Sequence, residues 1–263
     1  MGMEQGLRLA VFLGVLALMM AAEFLWPRRD QSVSRQKRWP HNLTLVALDI
    51  VLVRLVFPVS LAGFCLIAAQ KGWGIFNALD APFWLAFFLS LLILDALIYG
   101  QHIVLHRIPI LWRLHRVHHT DTEFDVTTAL RFHPIEILLS MLVKFTAAAI
   151  LGAPPEAALA FEIILNAAAM FNHGNVNIPT RLDEWLRRFI VTPDMHRVHH
   201  STIRRETDSN YGFSISLWDR LFGTYHAQPQ KGHGGMIIGL NIFRKEEDMR
   251  VEKLLLQPFK SDG

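Results

Sequence analysis

The sequence predicts an all-α, polytopic membrane protein with a histidine-rich helical region gathered on one side of the bilayer. Three observations carry that expectation. Hydrophobic residues make up 52% of the 263-residue chain and charged residues 19%, against about 25% charged in a typical globular domain, and the mean hydropathy is +0.28. Apolar runs of bilayer-span length recur along the chain. Most of the 13 histidines fall into short clusters. The composition excludes a disordered chain. The single cysteine, Cys65 in an apolar run, excludes an internal disulfide, a thiolate iron–sulfur cluster and a cysteine-based zinc finger.

Residues 7–26 form the first expected transmembrane helix, with no charge between Leu9 and Ala22. A signal peptide fits less well, because Glu4 faces Arg8 and no small-x-small cleavage site follows. Residues 43–69 form a second apolar stretch, interrupted by Asp49, Arg54 and Pro58, and residues 82–99 a third, with Asp95 near its end. Residues 135–151 and 155–172, joined at Pro154-Pro155 and carrying Lys144 and Glu162, read as a helical hairpin that either crosses twice or re-enters.

Orientation follows from the basic residues. Arg28, Arg29, Arg35, Lys37 and Arg38 against Asp30 mark the loop after the first span as cytoplasmic, which places the N-terminus outside. The link 70–81 holds only Lys71 and Asp80, as an outer loop should, and the third span returns the chain to the cytoplasm before His102. The hairpin comes back to its own side in either form, so the basic tail from His173 onward is cytoplasmic too. Trp26, Trp39, Trp73 and Trp84 fall at the expected span ends. The pI of about 9.2 is thus accounted for by topology and anionic lipid. No aromatic-interleaved basic motif points to nucleic acid.

Past the third span the chain reads His102-Ile-Val-Leu-His106, then His115-Arg-Val-His118-His119, and after the hairpin His196-Arg-Val-His199-His200. Spacings of i, i+3 and i+4 put side chains on one helical face about 5–6 Å apart at Cβ, which lets a helix offer several imidazoles to one metal centre. Without metal, so many clustered imidazoles would titrate near neutrality and repel one another when protonated. These eight are therefore candidate ligands. His173 sits where the hairpin re-emerges and is a ninth. His133 opens the hairpin, where a structural or supporting role stands beside ligation. His41, His226 and His233 lack metal spacing. Asp95, about two turns before His102 on the same face, either accepts a hydrogen bond from a ligand histidine or pairs with Arg54. Eight or nine histidines suit two metals, since zinc is filled by four protein ligands and iron takes more. Asp125, Glu136, Asp194 and Asp219 are candidate acids to offset their charge.

Together, Asp95-Ala-Leu-Ile-Tyr99-Gly-Gln-His102-Ile-Val-Leu-His106, His115-Arg-Val-His118-His119, Arg131-Phe-His133-Pro-Ile-Glu136, Asn172-His173-Gly-Asn175 and Thr192-Pro-Asp-Met-His196-Arg-Val-His199-His200 resemble the fatty acid hydroxylase, or sterol desaturase, superfamily of integral-membrane non-haem di-iron enzymes. Asn210-Tyr211-Gly212 and the string from Trp218 to Tyr225 fit as well. The resemblance covers about residues 83–226. It implies a polytopic transmembrane helical base under a cytoplasmic His-rich helical cap holding a dimetal site. The N-terminal helices and basic loop would occupy 1–82, the catalytic domain 83–226 and a cytoplasmic tail 227–263.

The resemblance also implies two iron ions, with zinc as a possible replacement in purified protein, and dioxygen as co-substrate. Its reaction is oxidation of an unactivated C–H bond in a membrane lipid such as a sterol or fatty-acyl lipid, either hydroxylation or desaturation. His102, His106, His115, His118, His119, His173, His196, His199 and His200 carry over as ligands, with Asp95, His133 and Asp194 as supporting candidates. No His-Pro-Gly-Gly haem motif is present, so electrons are expected from a separate donor protein, which a basic cytoplasmic face can attract. Two other functions compete: a zinc metallohydrolase, disfavoured by the lack of H-E-x-x-H, and a non-catalytic lipid-binding protein, disfavoured by the complete histidine set.

Overall fold

The computed structural model describes residues 2–261; helices are the regular structure among them, and no β-strand forms there, only three isolated bridges. The base consists of α1 (Gly2–Leu25), α2 (Arg35–Val56), α3 (Leu61–Gln70), the short α4 (Ile75–Ala78) and α5 (Phe83–Arg107). After α6 (Pro109–His119) the chain returns to the base as α7 (Pro134–Leu151) and α8 (Pro155–Asn172). The cap then adds α9 (Thr180–Leu186), α10 (Pro193–His199), α11 (Arg204–Thr207), α12 (Leu217–Leu221), α13 (Gly232–Gly235) and α14 (Val251–Leu256).

Among the described residues, four stretches are long and apolar enough to cross a membrane: Glu4–Leu25, Arg35–Ala78, Phe83–Arg107 and Pro134–Leu151. The second is not one helix, as a span over 43–69 would require. Pro58 lacks an amide donor and pushes Phe57 out of the helical region, to φ −118 and ψ 86. The chain restarts at α3, where Ser60 Oγ caps the amide of Gly63 at 3.0 Å.

The long helices run alternately between two ends. At one end Ser60 Oγ donates to Glu4 Oε1 at 3.0 Å. There, too, the α3–α4 link meets the α7–α8 turn: a Cβ on Gly74 would lie 2.1 Å from the backbone nitrogen of Gly152, and both glycines have positive φ. The other end collects the basic segment after α1, the start of α2, the end of α5 and everything from His173 onward. Between the ends, Leu61, Cys65, Leu94, Ile98, Ala148 and Phe161 bury together where α3, α5, α7 and α8 cross. Buried Ala62, Ala148, Ala157 and Ala158 keep those crossings close, as small residues do between membrane helices.

The cap is fastened to the base by buried charge. Arg38, near the start of α2, is fully buried. Its Nε and Nη2 donate to the two Asp121 oxygens at 2.8 and 2.7 Å, and its Nη1 to Asp125 Oδ2 at 2.7 Å. Asn42 adds donors to Asp121 and Thr127, and Trp39 one to Asp125. Burial alone would raise the Asp121 carboxyl, but Arg38 and Arg131 outweigh it and hold it below the usual carboxylate range; Arg38 does the same for Asp125. From α1, Glu23 Oε1 accepts the amides of Val126 and Asn175 at 2.7 and 2.8 Å. The loop after α6 is thereby fixed to both N-terminal helices.

Removing one partner of a buried ion pair leaves the other desolvated and uncompensated, at a cost of about 3–5 kcal/mol. Arg38→Leu is expected to destabilise the protein by that amount, because Asp121 and Asp125 both lose the guanidinium that balances their charge. Thermal unfolding in detergent measures it, and an unchanged melting temperature would contradict the prediction.

Candidate metal centre

Four segments deliver the histidines. The last turns of α5 carry His102 and His106 on one face. Pro109 at the start of α6 begins a new helix directly after Ile108, as proline can where its missing donor is not needed, and α6 carries His115, His118 and His119. Thr192 Oγ1 caps the Met195 amide, Pro193 follows at the first helical position, and α10 brings His196 and His199 with His200 just after it. His173 is the residue that ends α8.

All nine candidate histidines come together, in two adjoining groups. His102, His106, His115, His119 and His199 form one, and His118, His173, His196 and His200 the other; within each, one nitrogen per ring lies within 4.8 Å of all the rest. Neither H-x-x-H-H string serves a single group. His115 and His119, one turn apart, join the first while His118 joins the second; His196 and His200 join the second while His199 joins the first. Each helix thus serves both groups: the i, i+4 pair and the middle histidine diverge, and the two helices exchange their middle residues.

Ring orientation is set from behind. The Nδ1 atoms of His102, His173 and His199 lie 2.8, 2.8 and 2.7 Å from the carbonyl oxygens of Tyr211, Ala169 and Ser209. That of His115 lies 2.7 Å from Glu136 Oε1. A proton on Nδ1 leaves Nε2 with a free lone pair, the usual arrangement behind a metal-ligating imidazole. His118 stacks on Phe132 at 4.5 Å and 8°.

The donor set fits a transition metal. The Nε2 atoms of His102 and His115 lie 3.1 Å apart, as do those of His118 and His173 and those of His196 and His173. Two nitrogens bound to one ion at about 2.1 Å and near right angles are separated by about 3 Å. Both ring nitrogens of His106, His119 and His200, and Nε2 of His199, are buried without a hydrogen-bond partner. Buried polar atoms normally have one. Burial, reinforced by neighbouring imidazoles, pushes the pKa values of His118, His119, His196 and His200 well below the ordinary imidazole value. Burial likewise brings His173 to about 4 and His199 to about 3. These shifts favour the neutral form of those six rings, the form that binds metal.

The three supporting candidates take other roles. Asp95 meets neither a ligand histidine nor Arg54; its Oδ2 accepts Trp218 Nε1 at 2.7 Å, because the cap lays α12 alongside α5. His133 joins neither group: its Nδ1 accepts the Ile135 amide at the start of α7 and its Nε2 faces the Leu255 carbonyl, each at 3.2 Å. Asp194 pairs with Arg28, at 3.1 Å, and with Arg197, tying the N-terminal basic segment to α10. Of the other acids, Glu136 backs a ligand as noted, Asp125 belongs to the Arg38 network, and Asp219 accepts the amides of Tyr211 and Gly212 at 2.7 and 2.9 Å. His41, His226 and His233 lie outside both groups.

Sequence spacing missed several neighbours. Asp208 Oδ1 approaches His106 Nδ1 at 3.4 Å. The Tyr211 ring lies 5.1–5.5 Å from His102, His106 and His199, and its place in Asn-Tyr-Gly was the one available signal. Trp112 lies 4.8 Å from His106 and 5.3 Å from His119. Phe213 lies 5.1 Å from His102 and 6.0 Å from His196, one ring of each group, and packs against both apolar clusters of the base.

Comparison with known proteins adds an independent line. The profile of the fatty acid hydroxylase family matches residues 87–224. An ornithine lipid hydroxylase of Rhizobium tropici is 32% identical over 54% of this chain and 42% of its own. The human alkylglycerol monooxygenase is 28% identical over 62% and 35%, and the mouse lathosterol oxidase 28% identical over 60% and 51%. The chain thus spans between about a third and a half of the length of these relatives. No solved structure matches.

The partition into groups makes a sharp expectation for metal content. His118→Ala should empty the four-histidine group and His199→Ala the five-histidine group, each lowering bound metal from about two ions per chain to about one, with the helical content of the base retained. Elemental analysis beside circular dichroism checks this, and full metal content in both variants would refute it.

Proposed function

Because the chain belongs to the fatty acid hydroxylase family, we propose that it is a membrane oxidoreductase that hydroxylates a C–H bond of a membrane lipid, of the sterol or fatty-acyl kind, using two iron ions, dioxygen and electrons from a separate donor protein. The observation that carries this reading is the pair of adjoining, fully buried histidine groups set directly on apolar helices. Iron held there would supply the activation of dioxygen that attack on an unactivated C–H bond requires.

The protein's own part is to hold, orient and keep dry. Carbonyls and Glu136 fix the rings, and burial of all nine keeps bulk water out. Phe213 faces both groups from the side of the base, and this is the side from which the proposed substrate chain would approach. The nearby acids Glu136 and Asp208 face imidazole Nδ1 atoms, which leaves them poorly placed as the general base of a hydrolase. Arg204 covers Trp112 at 5.4 Å, and with exposed Arg107 and Arg205 it offers an acidic electron donor a basic approach close to His106 and His119.

Lipid mass spectrometry of cells making wild-type or His118→Ala protein under labelled dioxygen tests the reaction. A lipid that gains one labelled oxygen only with the wild type is the expected result. Loss of two hydrogens without label would mean desaturation, and a product formed without dioxygen or reductant would favour a zinc hydrolase.

The same reading puts the N-terminus outside and the histidine region in the cytoplasm, since Arg28, Arg29, Arg35, Lys37 and Arg38 gather at the histidine end. Single cysteines at exposed Ala78 and Arg205, in a Cys65→Ala background, should react with an impermeant maleimide from opposite faces. Labelling from one face would overturn the topology.

A further inference from the structure

The cap carries an apolar surface that its own packing does not use. Along α9 and the turn after it, Leu182, Trp185 and Phe189 are 47%, 55% and 58% exposed; along α12 and its end, Leu217, Leu221 and Phe222 are 52%, 63% and 62% exposed. The inner side of α9 is occupied by the buried pair Asp183–Arg187, so its residues at 182, 185 and 189 form an outward helical stripe. The two elements are one surface. Ile190 and Ile215 form an antiparallel bridge, the Ser216 amide donates to the Phe189 carbonyl at 3.2 Å, and Arg220 Nη2 donates to the Arg187 carbonyl at 2.9 Å.

Two observations say what covers it. The first is depth. Trp218 Nε1 is bonded to Asp95, and Phe222 stacks on Tyr99 at 5.5 Å and 21°, so α12 is fastened to the half of α5 that precedes His102. Outward-facing Leu92 is three residues from Asp95, about 4.5 Å along the helix. The cap surface is therefore continuous with the lipid-facing side of α5. The second is charge. Exposed Arg181, Arg188 and Arg220 border the apolar residues with only Glu184 among them on α9. An apolar stripe with an aromatic ring and flanking arginines is the make-up of a segment lying in the acyl–headgroup boundary.

We propose that α9 and α12 are seated in the bilayer leaflet on the histidine side, their six large apolar side chains among the acyl chains and their arginines at the lipid phosphates. The cap is thus a second, monotopic membrane contact beside the spanning helices. It sits against α5 just below His102, so the wall of the histidine region at that point is lipid rather than water. The proposal rests on the membrane reading of the base and not on the reaction.

Nitroxide labels at Phe189→Cys and Leu221→Cys, one at a time in a Cys65→Ala background, test it in vesicles of phosphatidylcholine and phosphatidylglycerol. Phe88→Cys on the lipid-facing side of α5 and Arg205→Cys elsewhere on the cap are the references, and power saturation with oxygen and a water-soluble nickel chelate is the readout. Labels at 189 and 221 are expected to match the label at 88, with oxygen several-fold more effective than the chelate, while the label at 205 shows the reverse. Chelate access at 189 and 221 equal to that at 205 would overturn the proposal. So would shielding from both agents that is relieved on dilution with unlabelled protein, which would assign the surface to a second copy. If the label at 88 is itself open to the chelate, it is the membrane reading of the base that fails.

Discussion

Nine imidazoles share one dry volume, and the structure around them answers that constraint. A buried imidazole can neither take up a proton at ordinary cost nor turn its lone pair toward water. Four of the rings are held from behind through Nδ1, and the free nitrogens converge in two groups. The supports range from local to distant: the Ala169 carbonyl lies one turn before His173 on α8, the Ser209 carbonyl ten residues after His199, the Glu136 carboxylate on α7 and the Tyr211 carbonyl 109 positions after His102. Placing nine nitrogens thus fixes the ends of three base helices and the path of the cap.

The same demand explains why so much charge is buried around the cluster. Backbone that leaves helix next to a desolvated site has to find other partners. Asp121 and Asp125 begin the loop after α6 and would be untenable alone; Arg38 from α2 neutralises them, and Glu23 from α1 takes the two amides that the loop and the end of α8 leave free. Asp194 does the equivalent work for α10 through Arg28 and Arg197. The basic segment between α1 and α2 is therefore structural glue as well as a topological signal.

Polarity changes steeply across the molecule. Below the histidines lie alanines, leucines and phenylalanines of the crossing helices; above them lie ion pairs and capped turns. Phe213 stands at the boundary, touching one ring of each group and both apolar clusters. The histidine groups therefore meet apolar helices on one side and a charged, hydrogen-bonded cap on the other.

By itself the sequence determined the helical membrane class, the apolar stretches and the nine histidines, because hydropathy and i, i+3, i+4 spacing are local properties of the chain. It also carried the family, through motifs that hold their order along the chain. It did not determine that residues 43–69 break at Pro58 into two helices, since a proline within an apolar run is compatible with either a kink or a stop. Nor did it determine which histidine joins which group: the exchange of His118 and His199 between the two H-x-x-H-H helices depends on how α6 and α10 face each other. Asp95 shows the same limit. Its helical phase relative to His102 suggested a ligand histidine, with Arg54 as the alternative, yet the partner is Trp218, brought there by packing 123 positions later in the chain. Tertiary structure decided these points because a side chain's partner is set by what lies across from it, and spacing along one helix fixes only the direction in which it looks.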